Sequence, residues 1–197
     1  MLKAHHTNSL IECGCDEAGR GCLAGAVYAA AVVLPDGYSN KRLDDSKKLS
    51  ARQREQLRIE IERDAAAWAV AAVSAEEIDR TNILQASFHA MNLAVEQLDI
   101  KPQMLLIDGN RFVPETDIPY LCIVKGDAQY MSIAAASILA KTYRDEKMLE
   151  LHAEYPMYGW DRNKGYPTTQ HYDAIEKNGI SPYHRKSYRL QRQLSLF

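Results

Sequence analysis

The chain has 197 residues, 46% of them hydrophobic and 25% charged, and a formal net charge of −2. We therefore predict one main domain with a well-buried core, and the charge balance excludes an overall basic surface. No apolar run approaches the roughly 18 residues of a membrane span and the N-terminus has no apolar signal core, so a cytoplasmic protein is expected. The four cysteines lack a paired C-x-x-C spacing, which argues against a zinc site or a disulfide framework.

Apolar runs and turn signals predict strands and helices along most of the chain. A capping box at Ser50 and Gln53 begins the first helix, and apolar residues spaced three and four apart after residue 82 define another. Runs of small and β-branched residues predict buried strands. The predicted strands are 10–15, 26–34, 67–73, 104–107 and 120–124, and the predicted helices are 50–63, 82 onward, 130–152 and 168–178.

The order of these elements predicts an α/β fold. A helix separates the first three strands from the last two, which indicates a mixed five-stranded sheet that starts antiparallel and finishes parallel. Helices are expected to flank this sheet, and the last helix lies in a small C-terminal extension.

Acidic residues follow the ends of three predicted strands. Asp16 and Glu17 come after the first strand. Asp108 follows the fourth strand, and Asp127 lies just past the fifth. Strand ends at one edge of a sheet form a cleft, so we expect these carboxylates to converge there. Gathered carboxylates repel each other unless cations neutralise them, and Mg²⁺ or Mn²⁺ prefers such oxygen ligands.

Each of these acids also has a simpler interpretation. A single Asp at a strand end is commonly a turn residue, and Asp127 is also a candidate N-cap for the following helix. On a regular strand Asp16 and Glu17 point to opposite faces, so both can bind metal only if the chain bends. Glycines at positions 14 and 19 make such a bend accessible.

A glycine-rich turn, Gly19-Arg20-Gly21, directly follows the acidic pair. Glycines allow backbone groups to approach a ligand closely, and the guanidinium of Arg20 matches a phosphate. A tight turn without a ligand is the alternative interpretation. The position of the turn beside the carboxylates favours phosphate binding.

Seven short motifs, in order along residues 12–187, resemble the signature motifs of the ribonuclease HII family. The resemblance is specific because it depends on all of them in order and not on a single motif. The chain departs from the family pattern at Cys22 and Ala26, where the family usually has proline. The motifs are CDEAGRG at 15–21, DSKKLS at 45–50, IDGN at 107–110, KGD at 125–127, AASILAK at 135–141, KGYPT at 164–168 and HRKS at 184–187.

The resemblance implies a ribonuclease H-like fold and an endonuclease that cuts RNA paired with or joined to DNA. In-line attack by water on the phosphate 5′ to a ribonucleotide would leave 3′-hydroxyl and 5′-phosphate ends, with divalent metal, Mn²⁺ or Mg²⁺, as the cofactor. The residues implied to be catalytic and to hold the metal are Asp16, Glu17, Asp108 and Asp127.

The resemblance also implies how a ribonucleotide is recognised. Gly19, Arg20 and Gly21 would contact its 2′-hydroxyl and phosphates, with the hydroxyl of Tyr166 nearby. Only the 2′-hydroxyl distinguishes a ribonucleotide within a duplex, so such contacts are physically sensible. Lys47 is a further candidate for the substrate groove, and a solvated start of a helix explains it equally well.

Two alternatives to this interpretation remain open. A recombination nuclease or integrase of the same broad fold would share the clustered acids, but it has no need for the glycine-rich turn and Tyr166. A non-catalytic nucleic-acid-binding module would bind in the presence of EDTA and would not cleave with Mg²⁺ or Mn²⁺.

The resemblance suggests a division into a ribonuclease H-like catalytic domain at 1–157 and a basic C-terminal segment at 158–197 that packs on it. A basic end fits phosphate binding, and a solvated helix face is the alternative. The last five residues resemble the peptide with which bacterial DNA enzymes bind the sliding clamp, and docking on the parent domain is the alternative. We expect a monomer with no membrane partner. The candidate partner-binding residues are Gln193, Leu194, Leu196 and Phe197.

Overall fold

A computed structural model describes residues 2–7, 9–43, 46 and 48–191 of the chain. Five strands form one mixed sheet in the order β3-β2-β1-β4-β5. The first three strands pair antiparallel, and β4 and β5 continue the sheet in parallel, as the sequence predicts. The strands are β1 (Glu12–Ala18), β2 (Val27–Val33), β3 (Ala67–Val73), β4 (Met104–Asp108) and β5 (Tyr120–Ile123).

Within the described ranges, six α-helices accompany this sheet. The first begins at the predicted capping box, in which Ser50 and Gln53 bind each other's backbone. The helices at 75–80 and 160–163 were not predicted. The helices are α1 (Ala51–Asp64), α2 (Ala75–Arg80), α3 (Ile83–Glu96), α4 (Met131–Glu154), α5 (Trp160–Asn163) and α6 (Thr169–Asn178). None of the helices in the described ranges is long and apolar enough to span a membrane.

The two faces of the sheet are buried by different helices. Cys13 and Cys15 of β1 share a core cluster with α3, whereas Ala18 of β1 shares a cluster with α4. Because side chains alternate along a strand, Gly14 and Asp16 lie on the α4 face together with Ala18. A Cβ atom on Gly14 would overlap the backbone of Ser132 in α4, so glycine allows this helix to approach β1 closely.

The described part of the C-terminal segment contacts the glycine-rich turn and α4. Tyr158, Trp160 and Ile175 form a buried cluster with Leu23 from the turn region and Met148 from α4. The carboxylate of residue Asp79 in α2 accepts hydrogen bonds from the backbone of residues 186 and 187. The division of the chain at residue 157 stays a prediction.

Candidate active site

Asp16 and Asp108 lie side by side on neighbouring parallel strands. The β1 and β4 ladder ends with Cys15 opposite Ile107, and the two aspartates are the next residues on each strand. Neighbouring strands are about 4.8 Å apart, and residues in register on parallel strands point to the same face. The two carboxylates therefore share the α4 face of the sheet. The sequence predicted that Asp16 follows the first strand. In the structure it lies within β1, which continues to Ala18.

The electrostatic environment of Asp16 disfavours its charged form. Burial, and then the charges of Glu17 and Asp108, hold the pKa of the Asp16 carboxyl well above its usual value. Hydrogen bonds from Ser137 and from the backbone of Glu17 oppose this shift. Two neighbouring carboxylates raise the pKa of this buried carboxyl, and a bound cation would stabilise its charged form.

Glu17 lies in the same strand but on its other face. The ladder between β1 and β2 runs from Cys13 to Ala18 without a break, so the bend that would turn both acids to one face is not present. The Glu17 carboxylate instead accepts a hydrogen bond from the Arg20 guanidinium, with 3.0 Å between Nη1 and Oε1. Glu17 thus connects the carboxylate pair to the glycine-rich turn.

Asp127 is buried beside the loop that orients Asp108. It lies in a single 3-10 turn, Gly126–Ala128, and the N-cap of α4 is Tyr130, so the alternative that Asp127 caps this helix is wrong. The backbone N–H of Gly126 donates to Oδ1 of Asp108 at 2.7 Å. Lys125, in the left-handed region at a φ of 56°, begins this turn. Asp127 therefore lies in a loop after β5 and not at the end of a strand.

These acids offer a divalent ion hard oxygen donors rather than a finished cage. Among the described residues, no group of three or more His, Cys, Asp or Glu side chains could hold a metal ion as placed. Mg²⁺ usually binds through one or two carboxylates, several waters and substrate phosphates. The Asp16 and Asp108 pair fits such an ion.

A buried arginine of the C-terminal segment hydrogen-bonds the backbone of the glycine-rich turn. Arg185 has no exposed surface, and its guanidinium donates to the carbonyl oxygens of Gly25 and Arg20 at 2.9–3.0 Å. The hydroxyl of Tyr188 donates to the same Arg20 carbonyl at 2.7 Å. The backbone of Arg20 is therefore fixed, while its side chain is half exposed and available to a phosphate.

A second buried arginine, Arg144 of α4, holds the other side of this turn. Its guanidinium donates to the carbonyl oxygens of Ala24, Ala26 and Lys164 at distances of 2.8–3.2 Å. Gly19 adopts a φ of 98°, and a Cβ atom there would overlap the Arg144 side chain. Sequence reasoning missed both arginines as anchors, although Arg185 lies within a family motif and Arg144 lies three residues after one.

Tyr166 lies close to the segment that follows the glycine-rich turn. The N–H of Leu23 donates to the carbonyl of Gly165 at 2.8 Å, which joins the two segments directly. Burial, and then the nearby Cys22 thiol, raise the pKa of the Tyr166 hydroxyl, so it remains protonated at neutral pH. Cys22 is one of the two positions where the chain departs from the family pattern, and here its buried thiol lies against the tyrosine.

One face of α4 connects the carboxylates to Tyr166. Ser137 contacts Asp16, and four residues later the ammonium of Lys141 lies 5.4 Å from the centroid of the Tyr166 ring. Residues four apart share one helix face. Ser137 also hydrogen-bonds the hydroxyl of Ser46 at 2.9 Å. Lys47, the next residue and a predicted substrate contact, lies outside the described residues, as do Gln193, Leu194, Leu196 and Phe197.

The chain is similar in sequence and fold to known proteins. A family model described as Ribonuclease HII matches residues 13–191. Ribonuclease HII of Parabacteroides distasonis is 61% identical over 197 residues, which cover 100% of this chain and 99% of that protein. The crystal structure of ribonuclease H2 from Pyrococcus horikoshii OT3 matches with a TM-score of 0.76 and 25% identity, covering 91% of this chain and 94% of that chain. A chain in the PCNA:RNase HII complex from Archaeoglobus fulgidus matches with a TM-score of 0.78 and 25% identity, covering 94% and 98%.

Proposed function

The chain belongs to the ribonuclease HII family and is therefore a ribonuclease, and from this premise we propose a more specific activity. It is a metal-dependent endonuclease that hydrolyses the RNA strand of RNA–DNA hybrids. It also cuts duplex DNA 5′ to an embedded ribonucleotide and leaves 3′-hydroxyl and 5′-phosphate ends. The observation that carries this proposal is that Asp16 and Asp108 are paired on neighbouring strands. The same face of α4 that contacts Asp16 also contacts Tyr166, which lies close to the glycine-rich turn.

The residues of the chain divide into two groups in this reaction. Asp16 and Asp108 would hold the divalent ion, and Glu17 and Asp127 would complete its surroundings. The chemistry that bound Mg²⁺ or Mn²⁺ supplies in such sites is a lower pKa for the attacking water and stabilisation of the charge on phosphate and leaving oxygen. The burial of Asp16 and its hydrogen bond to Ser137 restrict the carboxylate to one orientation, which lowers the cost of positioning the reacting groups.

The second group recognises the ribonucleotide. The hydroxyl of Tyr166 stays protonated and can donate a hydrogen bond to a 2′-oxygen. Because Arg185 and Tyr188 fix the carbonyl of Arg20, the N–H groups of the turn are held in place before substrate arrives. Preorganised donors interact more favourably with a phosphate than donors that must first be ordered.

A direct cleavage assay tests this proposal. The protein is incubated with Mg²⁺ or Mn²⁺ and duplex DNA that contains one ribonucleotide, beside an all-DNA duplex and an RNA–DNA hybrid, and the cut position and end groups are mapped. We expect one cut 5′ to the ribonucleotide, loss of cleavage in EDTA, and an intact all-DNA duplex. Cleavage of the all-DNA duplex, or no cleavage with either metal, would contradict the proposal.

The C-terminal peptide supports a second, independent proposal, that the chain binds a DNA sliding clamp. Its last five residues carry three large apolar side chains in the pattern of a clamp-binding peptide. The archaeal relative in complex with PCNA shows that a protein of this fold assembles with a partner protein. Deletion of residues 193–197 should abolish clamp affinity and leave the melting temperature and the cleavage of short duplexes unchanged. A lower melting temperature with unchanged clamp affinity would show that the peptide docks on its own domain.

A further inference from the structure

A buried hydrogen-bond network lies beside the backbone of Tyr166. Trp160, His171 and His184 are at most 1% exposed. The Trp160 indole nitrogen lies 3.0 Å from Nε2 of His171, which in turn lies 3.2 Å from Nε2 of His184. Nδ1 of His171 is 3.0 Å from the carbonyl oxygen of Tyr166. The network therefore ends on the backbone of Tyr166.

The partners of these rings determine which nitrogen carries each proton. An indole N–H can only donate, so Nε2 of His171 must accept from Trp160, and the proton of the neutral ring is on Nδ1. That Nδ1–H then donates to the Tyr166 carbonyl. The backbone N–H of Ser181 donates to Nδ1 of His184 at 2.9 Å, so the His184 proton is on Nε2 and points at His171. The indole N–H of Trp160 and the Nε2–H of His184 share the single lone pair on Nε2 of His171. Protonation of either ring would set two donors against each other, at Nε2 of His171 or at Nδ1 of His184, so the network requires both rings to be neutral.

Two contacts, one at Gly165 and one at the Tyr166 carbonyl, hold the backbone at Tyr166 in place. On one side, Gly165 has a φ of 83°, and a Cβ atom there would come within 2.6 Å of the carbonyl oxygen of Ala24, which follows the turn. On the other side, His171 holds the Tyr166 carbonyl from α6. A shift of this carbonyl would move the tyrosine ring relative to the turn, and with it the position at which a sugar is sensed.

We propose that His171 is a positioning residue for ribonucleotide recognition, which acts by hydrogen-bonding the Tyr166 carbonyl and is itself fixed by Trp160 and His184. The inference rests on the proposed function of Tyr166. It assigns to a buried histidine, away from the metal-binding carboxylates, control over the placement of the residue that reads the sugar. A histidine that served only the stability of the C-terminal cluster would have no such effect on substrate discrimination.

Two isosteric substitutions separate these roles. In His171→Asn the amide nitrogen replaces Nδ1 and keeps the donor to Tyr166, whereas in His171→Gln the longer side chain replaces Nε2 and loses that donor. We expect His171→Gln to lower kcat/KM on the single-ribonucleotide duplex by about tenfold or more, since a small misplacement is costly, and His171→Asn to keep most of the activity. Equal losses in the two variants would overturn the proposal.

A double-mutant cycle with Tyr166→Phe shows whether His171 acts through the tyrosine. The loss caused by His171→Gln should fall to less than about twofold in the Tyr166→Phe background. An equal loss in both backgrounds would overturn the proposal. If His171→Gln does not fold, Trp160→Phe takes its place in the same cycle, because it removes the indole donor and keeps an aromatic ring stacked on Tyr158.

A spectroscopic readout is independent of cleavage. Proton–nitrogen correlation spectra of the imidazoles at neutral pH should show the Nδ1–H form of His171 and the Nε2–H form of His184, with neither ring charged. The opposite tautomer at His171 would overturn the proposal even if every variant lost activity. Failure of the wild-type protein to cut the ribonucleotide duplex would instead count against the proposed function, and the tautomers would still be measured.

Discussion

Asp16 and Asp108 come from strands that are about ninety residues apart in sequence, yet they follow the same ladder pair and face the same helix. Burial and the neighbouring carboxylates raise the pKa of Asp16 in the folded protein. A carboxyl with a raised folded pKa contributes stability below its unfolded pKa and loses that contribution as the pH rises through its folded pKa. Without a cation, Asp16 therefore destabilises the fold at pH values above its unfolded pKa.

Replacement of Asp16 by Asn should consequently stabilise the metal-free protein while abolishing cleavage. Asn removes the charge and can still accept from the backbone of Glu17. In EDTA at pH 8 we expect a gain on the order of 1 kcal/mol, seen as a melting temperature about 2–4 °C higher. Binding to the ribonucleotide duplex should be largely retained. Addition of Mg²⁺ should raise the melting temperature of the wild type but not of the variant, and near-normal cleavage by the variant would refute the assignment of Asp16.

The glycine-rich turn allows a test of why glycine is present. A Cβ atom on Gly21 would meet no heavy atom within 4 Å, so the folded protein gives no steric reason for glycine there. Gly21→Ala should leave the melting temperature within about 2 °C of wild type, since open surface sites tolerate substitution. It should nevertheless lower cleavage about tenfold or more, because the added methyl group would meet the incoming sugar or phosphate.

Gly14→Ala is the matched control for this substitution. Here the added Cβ would overlap the backbone of Ser132, so we expect reduced folding yield and a large fall in the melting temperature. A Gly21→Ala protein that cleaves normally would exclude close approach of the substrate at this position.

Arg185 should matter for substrate binding although it is fully buried. Arg185→Lys keeps the charge but loses the planar fork that contacts Gly25 and Arg20. We expect a destabilisation of about 1.5–3 kcal/mol, measured by urea unfolding, together with weaker duplex binding. The exposed Arg189→Lys is the control, with a stability change within about 0.5 kcal/mol. Duplex affinity equal to wild type in Arg185→Lys would show that the turn keeps its shape without this anchor.

The buried histidines predict a loss of stability in mild acid. Burial, and then the coulombic interaction with the His171 ring, lower the pKa of His184 to about 4. Because the unfolded chain binds this proton near pH 6.5, stability is fully present above that pH and declines as the pH falls toward 4. His184 alone should cost about 2 kcal/mol between pH 7.5 and pH 5.

The His184→Asn variant isolates this contribution from that of the carboxylates. The Asn oxygen can replace Nδ1 as the acceptor for the backbone of Ser181. Urea unfolding at pH 7.5 and pH 5 should show a smaller pH-dependent change for the variant than for the wild type. Parallel pH profiles for the two proteins would mean that His184 is not held neutral in the fold.

The sheet and the long helices were predictable because burial leaves a periodic signal in the sequence. The helix Ala75–Arg80 was missed because six residues are too few for a period to emerge, although its N-cap Ser74 and the acidic residues Glu76 and Glu77 are start signals. Asp127 has the position of an N-cap in sequence, but the left-handed Lys125 begins a separate turn first. The domain division at residue 157, by contrast, stays a prediction.

The sequence predicts which chemical groups the candidate site contains, but not the contacts that hold them in place. Acidic residues near strand ends are visible in the sequence, and their convergence follows from sheet topology. The arginine anchors could not be predicted, because Arg185 and the carbonyl of Arg20 are 165 residues apart and a carbonyl acceptor carries no residue-type signal. That Asp16 and Glu17 lie on opposite faces follows only from the unbroken ladder between β1 and β2, which the sequence does not show.

The common face of α4 that carries Ser137 and Lys141 has a geometric consequence for where the strand is cut. Four residues along a helix advance about 6 Å, so the contacts of α4 with Asp16 and with Tyr166 have a fixed offset within one helix. Under the proposed function, this offset would set the distance between the hydrolysed bond and the ribose that Tyr166 contacts. An extra residue inserted between positions 137 and 141 would rotate Lys141 by about 100° around the axis. The protein would then keep its acids and its tyrosine and lose their register, so that cleavage would shift along the backbone or cease.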